Sequence, residues 1–246
     1  MKRADVLLVE LQLAESRSQA QRWIAEGKVS ADGAPVLKPS AKFADGAHFA
    51  VINDERDRFV SRGGLKLEAA LAKGYFSVKG VALDIGASTG GFTDCLLQSG
   101  IDRVVCVDVG HGQLAEKVCR DERVCNYEGI NARELPASLL EHAPAGFDLV
   151  VMDVSFISQT KILPGLAAFM APGSWLVSLV KPQFEVGREF IGKGGLVKDA
   201  AQYERVQGDV RSSAEAAGLV VAAFFDSPIP GGDGNREFLM IACKSP

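Results

Sequence analysis

Val81-Ala82-Leu83-Asp84-Ile85-Gly86-Ala87-Ser88-Thr89-Gly90-Gly91-Phe92 decides the fold of this 246-residue chain. Val81 to Ile85 is a short apolar run, the pattern of a strand buried on both faces. It meets a glycine-rich turn that leads into Phe92-Thr93-Asp94-Cys95-Leu96-Leu97, which predicts a helix. Strand, glycine turn and helix in succession is how an open α/β sheet builds a nucleotide site. Gly86, Gly90 and Gly91 carry no Cβ, so a ligand is expected to lie against bare backbone there.

The glycine spacing is D-x-G-x-x-x-G-G, not the G-x-G-x-x-G of dinucleotide-binding turns. A carboxylate, Asp84, near a strand end and a helix N-terminus suit a ligand with an amine, a sulfonium and ribose hydroxyls. S-adenosylmethionine is such a ligand, and the turn Gly86, Ser88, Thr89, Gly90, Gly91 and Phe92 is its expected cradle. Val104 to Val107 then ends in Asp108, placed to accept both hydroxyls of an adenosine ribose. The alternative is an ordinary strand–turn–helix with no ligand.

Downstream, strand and helix alternate. Strands are expected at Arg103–Val109, within Arg123–Asn131, at Phe147–Asp153, Trp175–Pro182, Leu219–Phe225 and Glu237–Cys243. Helices are expected at 116–119, Thr160–Met170 and Ala201–Ala217, with a turn at Pro172-Gly173. Seven strands in this alternation predict an α/β fold with a doubly wound, mostly parallel sheet. Ligands of such sheets bind beyond the carboxyl ends of the strands. Asp84, Asp108, Asp153 and Lys181 fall at those ends, and Asn131 at the end of the third strand is placed for an adenine contact. Four charged residues at the strand ends of one sheet point to an active site.

The first 52 residues read as a separate small α+β module. A short helix covers Val6 to Val9. Ser16 and Gln19 have capping-box spacing ahead of a second helix, whose Ala20, Trp23 and Ile24 share one face. Asp32-Gly33 marks a hairpin, and a strand is expected near His48–Val51. Residues 53–62 read as a polar linker, with the larger domain over 63–246. Beyond the linker a helix is expected from about Leu65. Lys66 lies off its apolar stripe, either as a solvated lysine or in a functional role.

A net charge of −4 excludes a generally basic nucleic-acid binder. Residues 1–60 balance nine basic against nine acidic side chains, so any RNA must meet a local basic face. Apolar runs are far short of a membrane span, and Asp5 and Glu10 interrupt any signal-peptide core. A cytoplasmic location is the expectation. Five cysteines, mostly within apolar runs, read as buried free thiols. Three histidines and no ligand cluster give no expected metal site.

The N-terminal module, with Ser16-Arg17-x-x-Ala20 and Gly27-Lys28-Val29-x-x-x-Gly33, resembles the S4 RNA-binding domain. That resemblance implies RNA contacts from Arg3, Arg17, Arg22 and Lys28, with Arg62 at the end of the linker; a dimerisation or packing module is the alternative. Lys66, Asp153, Lys181 and Glu237 resemble the Lys-Asp-Lys-Glu tetrad of FtsJ-like ribose 2′-O-methyltransferases. Nearly the whole chain resembles the TlyA family, through Ser61-Arg62-Gly63-Gly64-x-Lys66-Leu67, the central glycine stretch, Asp153-Val154-Ser155-Phe156-Ile157-Ser158, Lys181-Pro182-Gln183-Phe184-Glu185 and Gly234-Asn235-Arg236-Glu237-Phe238. Membership implies a Rossmann-like methyltransferase domain. It also implies S-adenosylmethionine-dependent methylation of a cytidine ribose in bacterial rRNA, of the large subunit or of both. Ribosomal RNA or a ribosomal subunit is then the partner.

A sulfonium methyl is already electrophilic, so such an enzyme mainly aligns methyl and oxygen. A ribose hydroxyl needs its proton removed, and Lys181 is the expected base, with Lys66 the neighbouring cation and Asp153 and Glu237 holding the two amines. Lysines in that role are tuned to roughly pH 7–8. A structural ion pair is the plainer account of Lys181 and Glu237. Members of the family are also labelled haemolysins, so a membrane-active cytolysin is one competing reading. It requires a long apolar or strongly amphipathic segment, and none is visible. A catalytically inactive RNA-binding adaptor and a small-molecule methyltransferase are the other two.

Overall fold

The structure is a computed structural model that describes residues 1–14, 16–52, 58–232 and 234–246. Most of the expected linker, residues 53–57, lies outside them. Two compact units divide the chain, Met1–Arg58 and Phe59–Pro246. Residues 59–62, read from sequence as linker, fall in the second unit, where Phe59 is buried in the core.

In the first unit, β1 (Lys2–Arg3) leads into α1 (Ala4–Glu10). The second helix, α2 (Arg17–Ala25), is capped by Ser16, whose Oγ accepts the Gln19 N–H at 3.2 Å. The strands are β2 (Val29–Ala31), β3 (Ala34–Pro35), β4 (Lys42–Phe43) and β5 (Phe49–Val51). Asp32 and Gly33 both have positive φ at the β2–β3 hairpin, which that turn requires. Pairing of β1 with β4 has no counterpart in the sequence reading, because two-residue strands leave no periodicity. Ala4, Leu8, Ala20, Trp23, Ile24 and Val29 form this unit's core.

The second unit opens with α3 (Gly63–Leu71), then β6 (Val81–Ile85), α4 (Gly91–Gln98), β7 (Arg103–Asp108), α5 (Glu116–Cys119), β8 (Val124–Glu128) and β9 (Phe147–Met152). After these come α6 (Leu163–Leu166), β10 (Met170–Val180), α7 (Pro182–Glu185), α8 (Ala201–Ala216), β11 (Leu219–Asp226) and β12 (Phe238–Lys244). The seven strands run in the order β11-β12-β10-β9-β6-β7-β8, and β12 is antiparallel to both its neighbours. Strand order reverses between β9 and β6, the place where such sheets open a crevice.

Alternation along the strands builds two cores. Leu83, Ile85, Val105 and Val107 join Val206, Val210 and Ala214 of α8 on one face. Ala82, Val104 and Cys106 join Leu67, Ala70, Cys95 and Leu96 of α3 and α4 on the other. The expected helix over Thr160–Met170 is broken into a 3₁₀ turn at Gln159–Lys161, the single turn α6 and a second 3₁₀ turn at Ala167–Phe169. Pro164 lacks the N–H that a continuous helix would need, and Gly165 follows it. The Pro172-Gly173 turn is absorbed into β10 as a register shift between Met170 and Trp175. Only Cys95 and Cys106 are buried; Cys119 is exposed and Cys125 and Cys243 are half-buried, which corrects the expectation of mostly buried thiols.

Candidate active site

A cleft of about 490 Å³ opens beyond the carboxyl ends of β6, β7 and β9, within the usual range for small-molecule sites. Gly86, Ser88, Asp108, Asn131 and Asp153, all expected from sequence, line it together with Gln113, Ser155 and Phe156. Val107, Ile130 and Ala132 add apolar wall. Asp108 braces two loops at once: Ser88 N–H donates to Oδ2 at 2.8 Å and Gly110 N–H to Oδ1 at 2.7 Å. Ser88 Oγ donates to Gln113 Oε1 at 3.1 Å, and Asn131 Oδ1 accepts the Arg133 N–H at 3.0 Å. Gly86 has φ +83°, and a Cβ there would sit 2.6 Å from the Asp153 carbonyl oxygen, so only glycine lets β6 and β9 close up at the crevice.

Asp84, Thr89, Gly90, Gly91 and Phe92 were expected in the cradle and do not line the cleft. The glycines serve internal packing: a Cβ on Gly90 would strike Leu114 and Val118, and one on Gly91 would strike Ser61 Oγ. Phe92 belongs to the core, while Thr89 is exposed and its carbonyl accepts the Ala115 N–H. Asp84 sits on the strand face covered by α4 and is fully buried. Thr93 Oγ1 donates to its Oδ2 at 2.6 Å, and its Oδ1 finds no hydrogen-bond partner among the described residues.

Burial pushes the Asp84 carboxyl up to about 7, reinforced by the negative charges of Asp153 and Asp108 and opposed by the Thr93 hydrogen bonds. An ordinary aspartate in the unfolded chain titrates near pH 4. The folded protein therefore holds a proton that the unfolded chain has lost between about pH 4 and 7, and stability falls as pH rises through that window. Asp84→Asn removes this titration. Denaturation midpoints should show the wild type losing on the order of 2–4 kcal/mol more than the variant between pH 4 and 8. Parallel pH profiles for the two proteins would count against a buried neutral carboxyl.

Register assembles the polar tetrad. Val180 of β10 pairs with Phe238 of β12, so Lys181 and Glu237 are the next residues beyond that ladder. Ser178 pairs with Met152 of β9, which brings Asp153 to the other side of Lys181. Lys181 Nζ lies 2.6 Å from Asp153 Oδ1 and donates to Ser155 Oγ at 2.9 Å. Lys66, on α3, donates to Glu237 Oε2 at 2.5 Å. Both members of that second pair are buried, with only 3% of the Glu237 side chain exposed. Lys66 is thus neither solvated nor idle at the helix surface. Gly63, one turn before it, is where a Cβ would come 3.8 Å from Asp153 Oδ2, so α3 borders both ion pairs.

Ser155 and Phe156 were quoted as part of a motif but not as site residues, and Gln113 was missed. Phe156 is 90% exposed, has φ +64° and rests on Phe184 with ring centroids 5.0 Å apart. A bulky residue at positive φ is strained, and strain of this kind persists only where the surroundings over-determine it.

In the N-terminal unit the basic candidates have acidic neighbours. Asp5 is fully buried and accepts Arg3 at 2.9 Å through both oxygens, Arg17 at 3.2 Å and Gln21 at 2.7 Å. Those contacts, Arg3 first, hold its carboxyl well below the usual range. Lys28 is buried beside Glu26 at 2.9 Å, and Arg22 sits on α2. The Arg3 and Arg17 side chains stay about half exposed, so their guanidinium groups are aimed rather than hidden. Arg62 is exposed in the second unit, near Gly232.

Residues 59–244 match the FtsJ-like methyltransferase family model and residues 2–47 the S4 domain model. The 16S/23S rRNA (cytidine-2′-O)-methyltransferase TlyA of Mycobacterium tuberculosis is 42% identical over 239 residues, 97% of this chain and 88% of that one. The chain belongs to the TlyA family of FtsJ-like methyltransferases. Another TlyA-family relative, named Hemolysin A in Brachyspira hyodysenteriae, is 39% identical over 227 residues, 92% of each chain. A solved structure of a Streptococcus thermophilus protein named a hemolysin superposes with a TM-score of 0.77 at 42% identity, over 99% of this chain and 88% of that one. No helix among the described residues is long and apolar enough to cross a membrane.

Proposed function

We propose that this protein methylates the ribose 2′-hydroxyl of a cytidine in bacterial ribosomal RNA, with the 23S molecule in the large subunit as its substrate and the cytoplasm as its place of work. The observation that carries this is Lys181 Nζ held 2.6 Å from Oδ1 of Asp153, the residue that lines the cleft at the switch point of the sheet. The donor set fits S-adenosylmethionine. Asp108, Asn131, Ser88 and Gln113 offer a carboxylate, amides and a hydroxyl for ribose and base, and Val107, Ile130 and Ala132 offer an apolar wall. Asp153 supplies negative charge across the cleft from Asp108. When bound, S-adenosylmethionine supplies an electrophilic methyl group.

The chain's own residues then have three tasks. Lys181, once its ammonium has given a proton to water, takes the proton of the 2′-hydroxyl at Nζ, and the freed oxygen attacks the methyl carbon. Asp153 and Ser155 fix Nζ in place, which reduces the cost of aligning it with the substrate. Lys66 and Glu237 form a second, buried ion pair at the start of β12, the strand next to that of Lys181, and it fixes α3 against that end of the sheet. The S4 unit supplies RNA affinity through Arg3, Arg17 and Arg22, with Asp5 orienting the first two; Lys28, expected among them, is buried against Glu26 and does not present its amine to RNA.

Phe156 provides a stacking surface for a nucleobase turned out of its strand. Stacking of a base on an aromatic ring is worth about 1–3 kcal/mol. Phe156→Ala should therefore lower kcat/KM for RNA by about 5- to 100-fold, with Phe156→Tyr close to wild type. To test the assignment, 16S and 23S rRNA from cells lacking the protein are incubated separately with the full chain and labelled S-adenosylmethionine. Label in a 23S cytidine is expected. Label confined to 16S overturns the subunit choice, and label in neither overturns the rRNA reading.

A further inference from the structure

Glu185 lies outside the tetrad, yet it holds the loop that carries the tetrad's Asp153. Its Oε2 accepts the Ser158 hydroxyl at 2.5 Å, and its Oε1 accepts the Gln159 N–H at 2.9 Å. Gln159, almost wholly buried, continues the tie into β10: its Nε2 donates to the Leu179 carbonyl at 2.6 Å, and Ser178 Oγ donates to its Oε1 at 2.6 Å. At the other end of the loop the Asp153 N–H donates to the Ile85 carbonyl at 2.9 Å. Residues 154–157 are thus pinned at both ends. Between the pins lie Ser155, against Lys181 Nζ, and Phe156, at φ +64°. A left-handed conformation at a non-glycine residue costs on the order of 1–3 kcal/mol and persists only where its surroundings over-determine it.

We propose that Glu185 is a positioning residue for methyl transfer. By binding Ser158 and Gln159 it locks the Ser155-Phe156 segment to the turn that carries Lys181 and Phe184, so base, hydroxyl and stacking ring form one rigid unit. Glu185 acts through hydrogen-bond acceptance and not through proton transfer, since both its oxygens already face the loop. This rests on the ribose-methylation reading above.

The wild type is measured first: failure to methylate RNA would overturn that reading, whereas the variants speak to Glu185 alone. Glu185→Ala frees the loop, and an offset of about 1 Å at a reacting group costs on the order of 100-fold in rate. We expect kcat for RNA methylation to fall 30- to 100-fold while S-adenosylmethionine affinity changes less than threefold. Glu185→Gln can accept the Gln159 N–H with Oε1 and donate to Ser158 Oγ with Nε2, so it should recover kcat to within threefold of wild type. Glu185→Ala added to Phe156→Ala should cost less than the product of the two single effects, because both act through the same segment. A thermal midpoint for each variant separates misfolding from misplacement. Glu185→Ala with wild-type kcat, Glu185→Gln as slow as Glu185→Ala, or fully multiplicative effects would each overturn the proposal.

Discussion

Lys181→Ala should lower the single-turnover rate of RNA methylation by at least about 1,000-fold while leaving S-adenosylmethionine affinity within about threefold. A positioned general base contributes typically 10²–10⁴-fold, and Lys181 also orders the Ser155 hydroxyl and the Asp153 carboxylate. Cofactor affinity survives because Lys181 is not among the residues lining the cleft. Lys181→Arg should be almost as slow, since a guanidinium does not give up its proton near neutral pH. The Asp153 side chain left behind is 23% exposed, and truncating Lys181 lets water reach its buried Oδ1, so the variant should fold. Rapid-quench kinetics on RNA and calorimetric titration of the cofactor read the two halves separately. A Lys181→Ala rate within tenfold of wild type would remove lysine from the base role.

Glu237→Ala should destabilise the protein by about 3–5 kcal/mol, the usual cost of stranding one charge of a buried pair. Its partner, Lys66, is nearly as buried, and the pair's 2.5 Å contact joins α3 to the start of β12 across 171 positions of sequence. Replacing both by methionine should restore most of the lost stability, because well-packed apolar side chains of similar size often match a buried ion pair. Activity should not return with it if the pair also shapes the surroundings of Lys181. Guanidinium denaturation of wild type, single and double variants gives the three values. A single-variant loss under about 1 kcal/mol is what an exposed pair would show, and it would contradict the buried geometry.

Three of the tetrad were legible because Asp153, Lys181 and Glu237 belong to short motifs at strand ends, which the β9–β10–β12 register brings side by side; Lys66 was legible only through its motif on α3. Asp84 misled because a strand-end acid reads as a ligand-facing one. Its residue lies on the face that alternation turns toward α4, and covering helices are not visible in a run of five residues. Phe156 and Glu185 were within quoted motifs, yet neither the positive φ of one nor the partners of the other leaves a mark on composition or spacing. Asp5 read only as an interruption of a signal-peptide core; its role as acceptor for Arg3, Arg17 and Gln21 depends on α1 and α2 packing side by side. The seven-strand order was inferable only as a class, since β12 inserts between β10 and β11 by long-range pairing.

The most direct test of the central claim is the identity of the methylated nucleoside. Ribosomal RNA from cells lacking this protein is treated with the full chain and labelled S-adenosylmethionine, digested to nucleosides and separated. Label solely in 2′-O-methylcytidine, and absent with Lys181→Ala, is the predicted result. Label on a base atom, or label that persists without the Lys181 amine, would contradict it.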